Sequence, residues 1–478
     1  MKFERKINME EYKNSKLEDF NNMASEKKIA IIGLGVSNIP LLDYFFELGS
    51  KISVFDNNKF ENLNDDLKKK INDYKIDYYG GENNLEKLVG YDIIFRSPSI
   101  MPYRKELVAE KERGALITSE IELVLELSPS KIIGVTGTEG KTTTTSIIYE
   151  IVKKAGYNCF LGGNIGKPIF TQIKNMTPND VVVLELSSFQ LIDMKVSPNI
   201  ALVTNIYPDH LNIHGSYEEY QNAKKNIFTH QKKEDVVVLN YDNEITRNFA
   251  KDVKSNVIFF SSKKQIENGY IYDNNDGFIK YCENGAIEKL VNKNEIKLRG
   301  IHNYENICAA FAVTSSIVDR SIQVEVIKEF MGVEHRLEFV RLLDGVKWYN
   351  DSIGTSPAST IAGLNAFDEN IVLLAGGSDK GLDYTEVGEA IANKVETLIL
   401  CGPTAPKIEQ ATNNALIGKD KNVKIYHVKD LYEAVILAKE VSNSGDVVLL
   451  SPASASFDAF KNFAERGNKF KEWVKNLK

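Results

Sequence analysis

Apolar residues along the chain come in short unbroken runs separated by longer amphipathic stretches. KKIAIIGLG reads as a buried parallel strand running into a glycine turn. PLLDYFFELG has helical periodicity, and KISVFD is a second apolar strand ending at Asp56. This is a β–α–β unit of about 30 residues. YDIIFRSPSI (91–100) predicts a third strand ending in a Ser-Pro-Ser turn. KIIGVTGTEGKTTTTSIIYEIVKKAG restarts the pattern as strand, glycine-rich loop and helix. DVVVLELSS (180–188), NIALVTNI (199–206) and DVVVLN (235–240) predict strands, and SYEEYQNAKKNIFTHQ a helix starting at Tyr217. From about Asn256 to Arg299, NNDG and ENG turns between short apolar runs predict a small antiparallel sheet. GIHNYENICAAFAVTSSI (300–317) returns to a helix. After EHRLE (334–338), VKWYNDS, ENIVLLAGG, ETLILCG, NVKIYHV and DVVLLSPAS predict strands spaced by helix-length segments.

Strands alternating with helices mean parallel sheets, so the expected class is α/β, as three units joined by short links. The expected boundaries are a polar extension over 1–26, then units over 27–129, 130–332 and 333–478. The length of 478 residues agrees, at roughly 100–200 residues per domain. With 43% hydrophobic and 26% charged residues the chain can bury real cores, which excludes a disordered or collagenous protein.

Lys and Arg number 59 against 66 Asp and Glu, a net charge of −7, with no long basic run. Nucleic acid and anionic membrane are therefore poor partners. The first 28 residues are charged throughout and lack the apolar core of a secretion signal, and no run of about 18 apolar residues exists. The four cysteines form no CxxC pair, so neither a zinc ribbon nor a disulfide framework is expected. A cytoplasmic protein fits best.

The most informative segment is GVTGTEGKTT (134–143). A strand feeding a glycine loop and then a helix places backbone N–H groups and the positive helix end around phosphates. Lys141 would reach the β and γ oxygens of ATP, and the Thr142 hydroxyl would ligate Mg²⁺. The spacing departs from the standard phosphate loop, because Val135 stands where a glycine is wanted. Glu185, near the end of its strand, suits Mg²⁺ as a hard oxygen ligand.

His210 and His214 are four apart, superficially a zinc pair. Pro208 and Gly215 bracket them, so a helix showing both on one face is not expected; His210 suits a ligand or proton-handling role and His214 a structural one. Lys224 and Lys225 read, on pattern alone, as a solvated helix face. The Gly33-Leu34-Gly35-Val36-Ser37-Asn38 loop is a partial dinucleotide fingerprint, with Asn38 replacing its third glycine. NAD, another nucleotide such as UDP, or an empty tight turn all fit it.

In the third unit, Arg336 could stack on a base and Asp351 hold ribose hydroxyls. Lys380, on the GGSDKG loop, suits a carboxylate, and Ser451 to Phe457 open a helix able to hold an anion.

TGTEGKTT, GGNIG, ELSSFQL, NIYPDHL, the AKK segment, GIHNYEN, EHR and NDS stand together in the order and spacing of the Mur ligase family, which the chain resembles from about Lys27 onward. GGSDKG and LSPASASFDAFKNFAERG are similar to the family's D-glutamate-adding branch. The resemblance implies a Rossmann-like UDP-sugar domain, a central P-loop-type ATPase domain and a Rossmann-like C-terminal domain bringing the amino acid. It implies an ATP- and Mg²⁺-dependent ligase of cytoplasmic peptidoglycan precursor synthesis, acting as a monomer on small molecules through an acyl phosphate. Domain closure would assemble its site.

Carried over, Gly137, Thr138, Glu139, Gly140, Lys141, Thr142 and Thr143 cradle ATP phosphates. Asn164, Asn303 and Asn306 lie toward adenine, and Arg336 and Asp351 close on the nucleotide. Thr142, Glu185 and His210 are Mg²⁺ ligands, with Lys224 as the carbamylated lysine; Lys141, His210 and Lys224 are the catalytic set. Ser37, Asp56 and Ser97 face the UDP-sugar, while Thr355, Lys380, Ser456, Phe457 and Phe463 line the D-glutamate pocket. Glu139, Ser99 and Ile353 depart from the family pattern, and the first 26 residues have no counterpart. A folylpolyglutamate-type ligase, and an NAD-dependent oxidoreductase using the Gly33 loop, are the rival readings.

Overall fold

β1 (Lys28–Ile32) exposes its first residue and buries the other four, as a strand covered on both faces must. Around it the computed structural model, which describes residues 12–478 apart from the Asn212 side chain, builds a five-stranded parallel sheet. The other strands are β2 (Lys51–Asp56), β3 (Asp77–Gly80), β4 (Ile93–Arg96) and β5 (Leu116–Thr118), in the order β3-β2-β1-β4-β5. The order reverses between β1 and β4, and ligand crevices form at the carboxyl ends of such strands. The Gly33 loop and the Ser97 turn lie at that point.

The second sheet has nine strands: β6 (Lys131–Thr136), β7 (Cys159–Gly163), β8 (Val181–Glu185), β9 (Ile200–Val203), β10 (Val236–Asn240), β11 (Asn256–Ser261), β12 (Gly269–Asp273), β13 (Phe278–Glu283) and β14 (Ala286–Asn292). Their order is β14-β13-β12-β11-β10-β9-β6-β8-β7. The antiparallel strands expected over 256–299 are not a detached sheet. β11 and β12 continue the parallel sheet, and only β12-β13-β14 are antiparallel. Turn signals mark a hairpin but do not reveal what its edge pairs with.

The polar lead-in also holds an element that was not expected. Ser15–Ala24 is a helix capped by the Asn14 side chain, burying Leu17, Phe20 and Ala24. The spacing of those three was the available signal. The Phe20 ring meets Phe45 and Phe170 edge-on at 6.4 and 6.2 Å, so one hydrophobic cluster runs from the first sheet to the second.

The third sheet, β15 (Glu338–Leu343), β16 (Val346–Asn350), β17 (Ile371–Ala375), β18 (Val395–Leu400), β19 (Lys424–His427) and β20 (Val447–Leu450), has the order β15-β16-β20-β17-β18-β19. It is parallel except for β15. The chain divides into two compact units. The first is the chain to Asn292 with Glu305–Ile327, and the second is Lys293–Tyr304 with Lys328–Lys478. Among the described residues no helix is long and apolar enough to cross a membrane.

Candidate active site

The loop between β6 and the Lys141–Lys154 helix depends on two glycines. Gly137 (φ 147°) and Gly140 (φ 79°) occupy the left-handed region, and a Cβ on either would collide, with Thr204 Oγ1 and Asn306 Oδ1 respectively. The residues after β9 hold the loop from below. Thr138 N donates to Asn205 O at 2.9 Å, Glu139 N to Asn205 Oδ1 at 2.9 Å, and Thr204 Oγ1 to Glu139 O at 2.6 Å. Lys141 Nζ folds back onto the carbonyls of Gly137 (3.0 Å) and Thr138 (2.9 Å), a cation poised over a loop that opens a helix N-terminus. Thr142 is partly exposed in the first turn, Thr143 is buried, and Glu139 is exposed, where solvent screens its added charge.

Beside this loop lies a cavity of about 550 Å³, lined by Ser37 and Pro98 from the first sheet and by Lys141, Asn164, Ser187–Gln190, His210, Tyr220 and Lys224 from the second. Glu185 is buried at the end of β8. Its Oε1 accepts from Asn164 Nδ2 at 2.9 Å, while Oε2 has no hydrogen-bond partner. His210 is half-exposed at φ 53°, 3.5 Å from Asp209. His214 is buried, stacked on the same Phe189 ring that His210 meets at 5.2 Å, and its Nε2 lies 2.9 Å from Ser188 Oγ.

Lys224 is 2% exposed and donates to Gly137 O at 2.7 Å, with its ammonium 4.9 Å from the Tyr220 ring. Burial, and next the nearby Lys141 charge, hold its amine well below the ordinary lysine value. Burial pushes the Tyr220 phenol up to about 12; its hydroxyl lies 3.0 Å from Thr138 Oγ1. Lys225, one residue on, points to Asp252 instead.

In the first sheet, Asp56 Oδ2 accepts from Leu34 N at 2.7 Å, so this acid also ties down the Gly33 loop. Asn38 fills the third glycine position and donates to the carbonyls of Ile32 (3.2 Å) and Gly33 (2.9 Å). Ser97 Oγ lies 3.1 Å from Ser99 Oγ, which gives the departing Ser99 a local partner.

Within the second unit, the ends of β16, β17 and β20 bring the remaining residues together. Asp351 is buried, accepting from Ser451 Oγ at 2.7 Å and Leu337 N at 3.3 Å; burial pushes its carboxyl up to about 7. Arg336 is exposed, and Lys380 lies 5.7 Å from the exposed Phe457 ring. Ser456 is buried, Thr355 half-buried, and Phe463 O accepts from Ser352 Oγ at 2.8 Å. On the helix Ile301–Thr314, Asn303 Nδ2 donates to Arg299 O at 2.7 Å and Asn306 backs Gly140.

Sequence reasoning missed Arg466. This buried guanidinium, lowered by burial to about 10, donates to Ser352 O at 2.9 Å and to Ser454 O and Ala455 O, joining the NDS turn to the 451–457 loop. It also missed Thr204 and Asn205. Their only signal was polarity directly after an apolar strand.

A parallel sheet, a phosphate-type loop and a lysine-bearing cavity define a nucleotide-dependent α/β enzyme. Three family descriptions match in series: Mur ligase MurD-like N-terminal domain at 27–119, Mur ligase middle domain at 135–314, and Mur ligase glutamate ligase domain at 335–454. The chain belongs to the Mur ligase family. It is 46% identical to a UDP-N-acetylmuramoylalanine--D-glutamate ligase of Clostridium acetobutylicum, over 96% of this chain and 99% of that one. It is also 46% identical to the same-named protein of Acetivibrio thermocellus, over 97% and 99%. The fold is shared with a UDP-N-acetylmuramate-alanine ligase of Thermotoga maritima (TM-score 0.57, 20% identity, 95% and 100% covered). It is shared too with a MurF ligase of that organism in complex with ADP (TM-score 0.54, 18% identity, 95% and 96% covered).

Proposed function

We propose that this chain joins D-glutamate to UDP-N-acetylmuramoyl-L-alanine with cleavage of ATP to ADP and phosphate, in cytoplasmic peptidoglycan precursor synthesis. The carrying observation is the cavity, where Ser37 and Pro98 of the first sheet face Lys141, His210 and Lys224 of the second. The near full-length similarity to proteins named for this reaction supports it. The working division is an extension (1–26), a UDP-sugar domain (27–129), an ATPase domain (130–332) and an amino-acid domain (333–478).

The alanine carboxylate takes the γ-phosphoryl of ATP, ADP leaves, and the resulting acyl phosphate is attacked by the amine of D-glutamate. The amide forms as phosphate departs with the electron pair of the C–O bond and the attacking nitrogen gives up a proton. Lys141 neutralises charge on the transferred group, and the loop amides orient it. The orphaned Glu185 Oε2 would offer a hard oxygen to a divalent cation, with Thr142, His210 and a carbamylated Lys224 as the further ligands. When bound there, Mg²⁺ supplies further neutralisation of the phosphates. Lys224 is enclosed, and burial disfavours its ammonium form; as the free amine it would add CO₂, releasing a proton and becoming an oxygen-donor carbamate. Asn164, Asn303, Asn306, Arg336 and Asp351 serve the nucleotide, and Asp56 and Ser97 the UDP-sugar. The carboxylates of D-glutamate go to Lys380, with Thr355, Ser456, Phe457 and Phe463 around it.

Phosphate release that requires ATP, UDP-N-acetylmuramoyl-L-alanine and D-glutamate together is the expected result. Release driven by a folate acceptor instead would overturn the reading. Lys380→Ala should raise KM for D-glutamate about tenfold while moving that for ATP little; equal shifts would remove Lys380 from the amino-acid pocket.

A further inference from the structure

Arg96 is the last residue of β4 and is 2% exposed. A guanidinium so buried persists only when it is paired and its N–H groups are used. One branch, Nη1, donates to Ile100 O at 2.8 Å, closing the turn of residues 97–100. The other branch, Nη2, crosses to the second sheet's domain and pairs with Asp193 Oδ1. Asp193 lies just past the short helix Ser188–Leu191, whose Ser187 cap and Gln190 form a reciprocal capping box. Both ends of the pair therefore support cavity walls. Pro98 belongs to the turn that Arg96 closes, and Ser187–Gln190 to the helix ahead of Asp193.

We propose that Arg96 and Asp193 are positioning residues that set the separation of these two walls, and with it the fit of the UDP-sugar substrate. Neither lines the cavity; they act through the turn and the helix. The proposal rests on the ligase reading for the identity of that substrate. The Gly137 loop is held by other residues, Thr204 and Asn205, so ATP affinity should be insensitive to the pair. The nearby Glu122 does not substitute for Asp193, because its carboxylate is used by Lys195 N at 3.1 Å and Thr118 Oγ1 at 3.3 Å.

Two variants test this. Arg96→Met removes the buried charge with its contacts, and Asp193→Ala leaves the bond to Ile100 available but cuts the link between walls. Each should raise KM for UDP-N-acetylmuramoyl-L-alanine about tenfold and leave KM for ATP within about twofold, and the double variant should be no worse than either single one. In the ligand-free protein, amide exchange should quicken in both 97–101 and 187–195 for either variant. A silent Asp193→Ala, additive effects, or faster exchange in only one segment would overturn the proposal. Turnover of the wild type tests the ligase reading separately, since the exchange experiment needs no activity.

Discussion

The first unit contains two glycine-bearing loops in equivalent places, each leaving a central parallel strand and opening a helix, and they are held in opposite ways. In the Gly137–Gly140 loop the glycines are demanded from outside, since Thr204 and Asn306 occupy the space a side chain would need. Two lysines then converge on its carbonyls. In the Gly33–Asn38 loop Gly33 (φ 83°) is crowded by Ser97, but a Cβ on Gly35 would meet nothing within 4 Å, and the loop is held by the Asp56 carboxylate and the Asn38 amide. No lysine or arginine occurs between Ile29 and Lys51. The difference teaches that glycine spacing alone does not make a phosphate site; what sets the second loop apart is the lysines the fold brings to it.

The sharpest way to break the comparison is Lys141→Ala. Phosphate release should fall about 10³-fold or more in a folded protein, because a charge facing the transferred group is lost. Near-normal turnover would leave the two loops functionally alike. Lys224→Ala should lose about 10²-fold and be partly rescued by short carboxylates, which stand in for the carbamate. Lys225→Ala, which removes an ion pair to Asp252 and a cation contact with Phe249, should change stability by about 1 kcal/mol or less. Sensitivity at Lys225 rather than Lys224 would refute the carbamate assignment.

Gly137→Ala should cost about 10²-fold in kcat and roughly 1–3 kcal/mol in stability, from the strained φ and the collision with Thr204. Gly35→Ala should leave the melting temperature unchanged, any effect appearing in KM for the UDP-sugar. Equal destabilisation by the two would erase the distinction. Asn38→Gly tests the first loop's side-chain support. Restoring the third glycine of the fingerprint should cost about 1–2 kcal/mol by removing two bonds to the loop, without creating NAD affinity. Tight NAD binding by that variant, followed by fluorescence of the reduced nucleotide, would show the first loop to be a disabled dinucleotide site.

What the sequence determined by itself was local. Apolar runs placed the strands, glycine and lysine spacing marked a candidate phosphate loop, and polar residues after each strand marked candidate ligands, because a strand, its turn and the next helix are contiguous in the chain. The tertiary structure decided what depends on distant partners. A step of about 100° along a helix separates Lys224, enclosed over the Gly137 carbonyl, from Lys225, turned to Asp252, and no local pattern distinguishes two adjacent lysines. The hairpins after Asn256 proved to extend an existing sheet, since pairing of an edge is a long-range event. Asp351 reads as an ordinary ligand carboxylate, yet burial raises its pKa to about 7 in spite of the hydrogen bond from Ser451. Desolvation and the pairing of remote groups, such as Arg96 with Asp193, exist only once the chain has folded, and they set the chemistry of residues the sequence can name but not place.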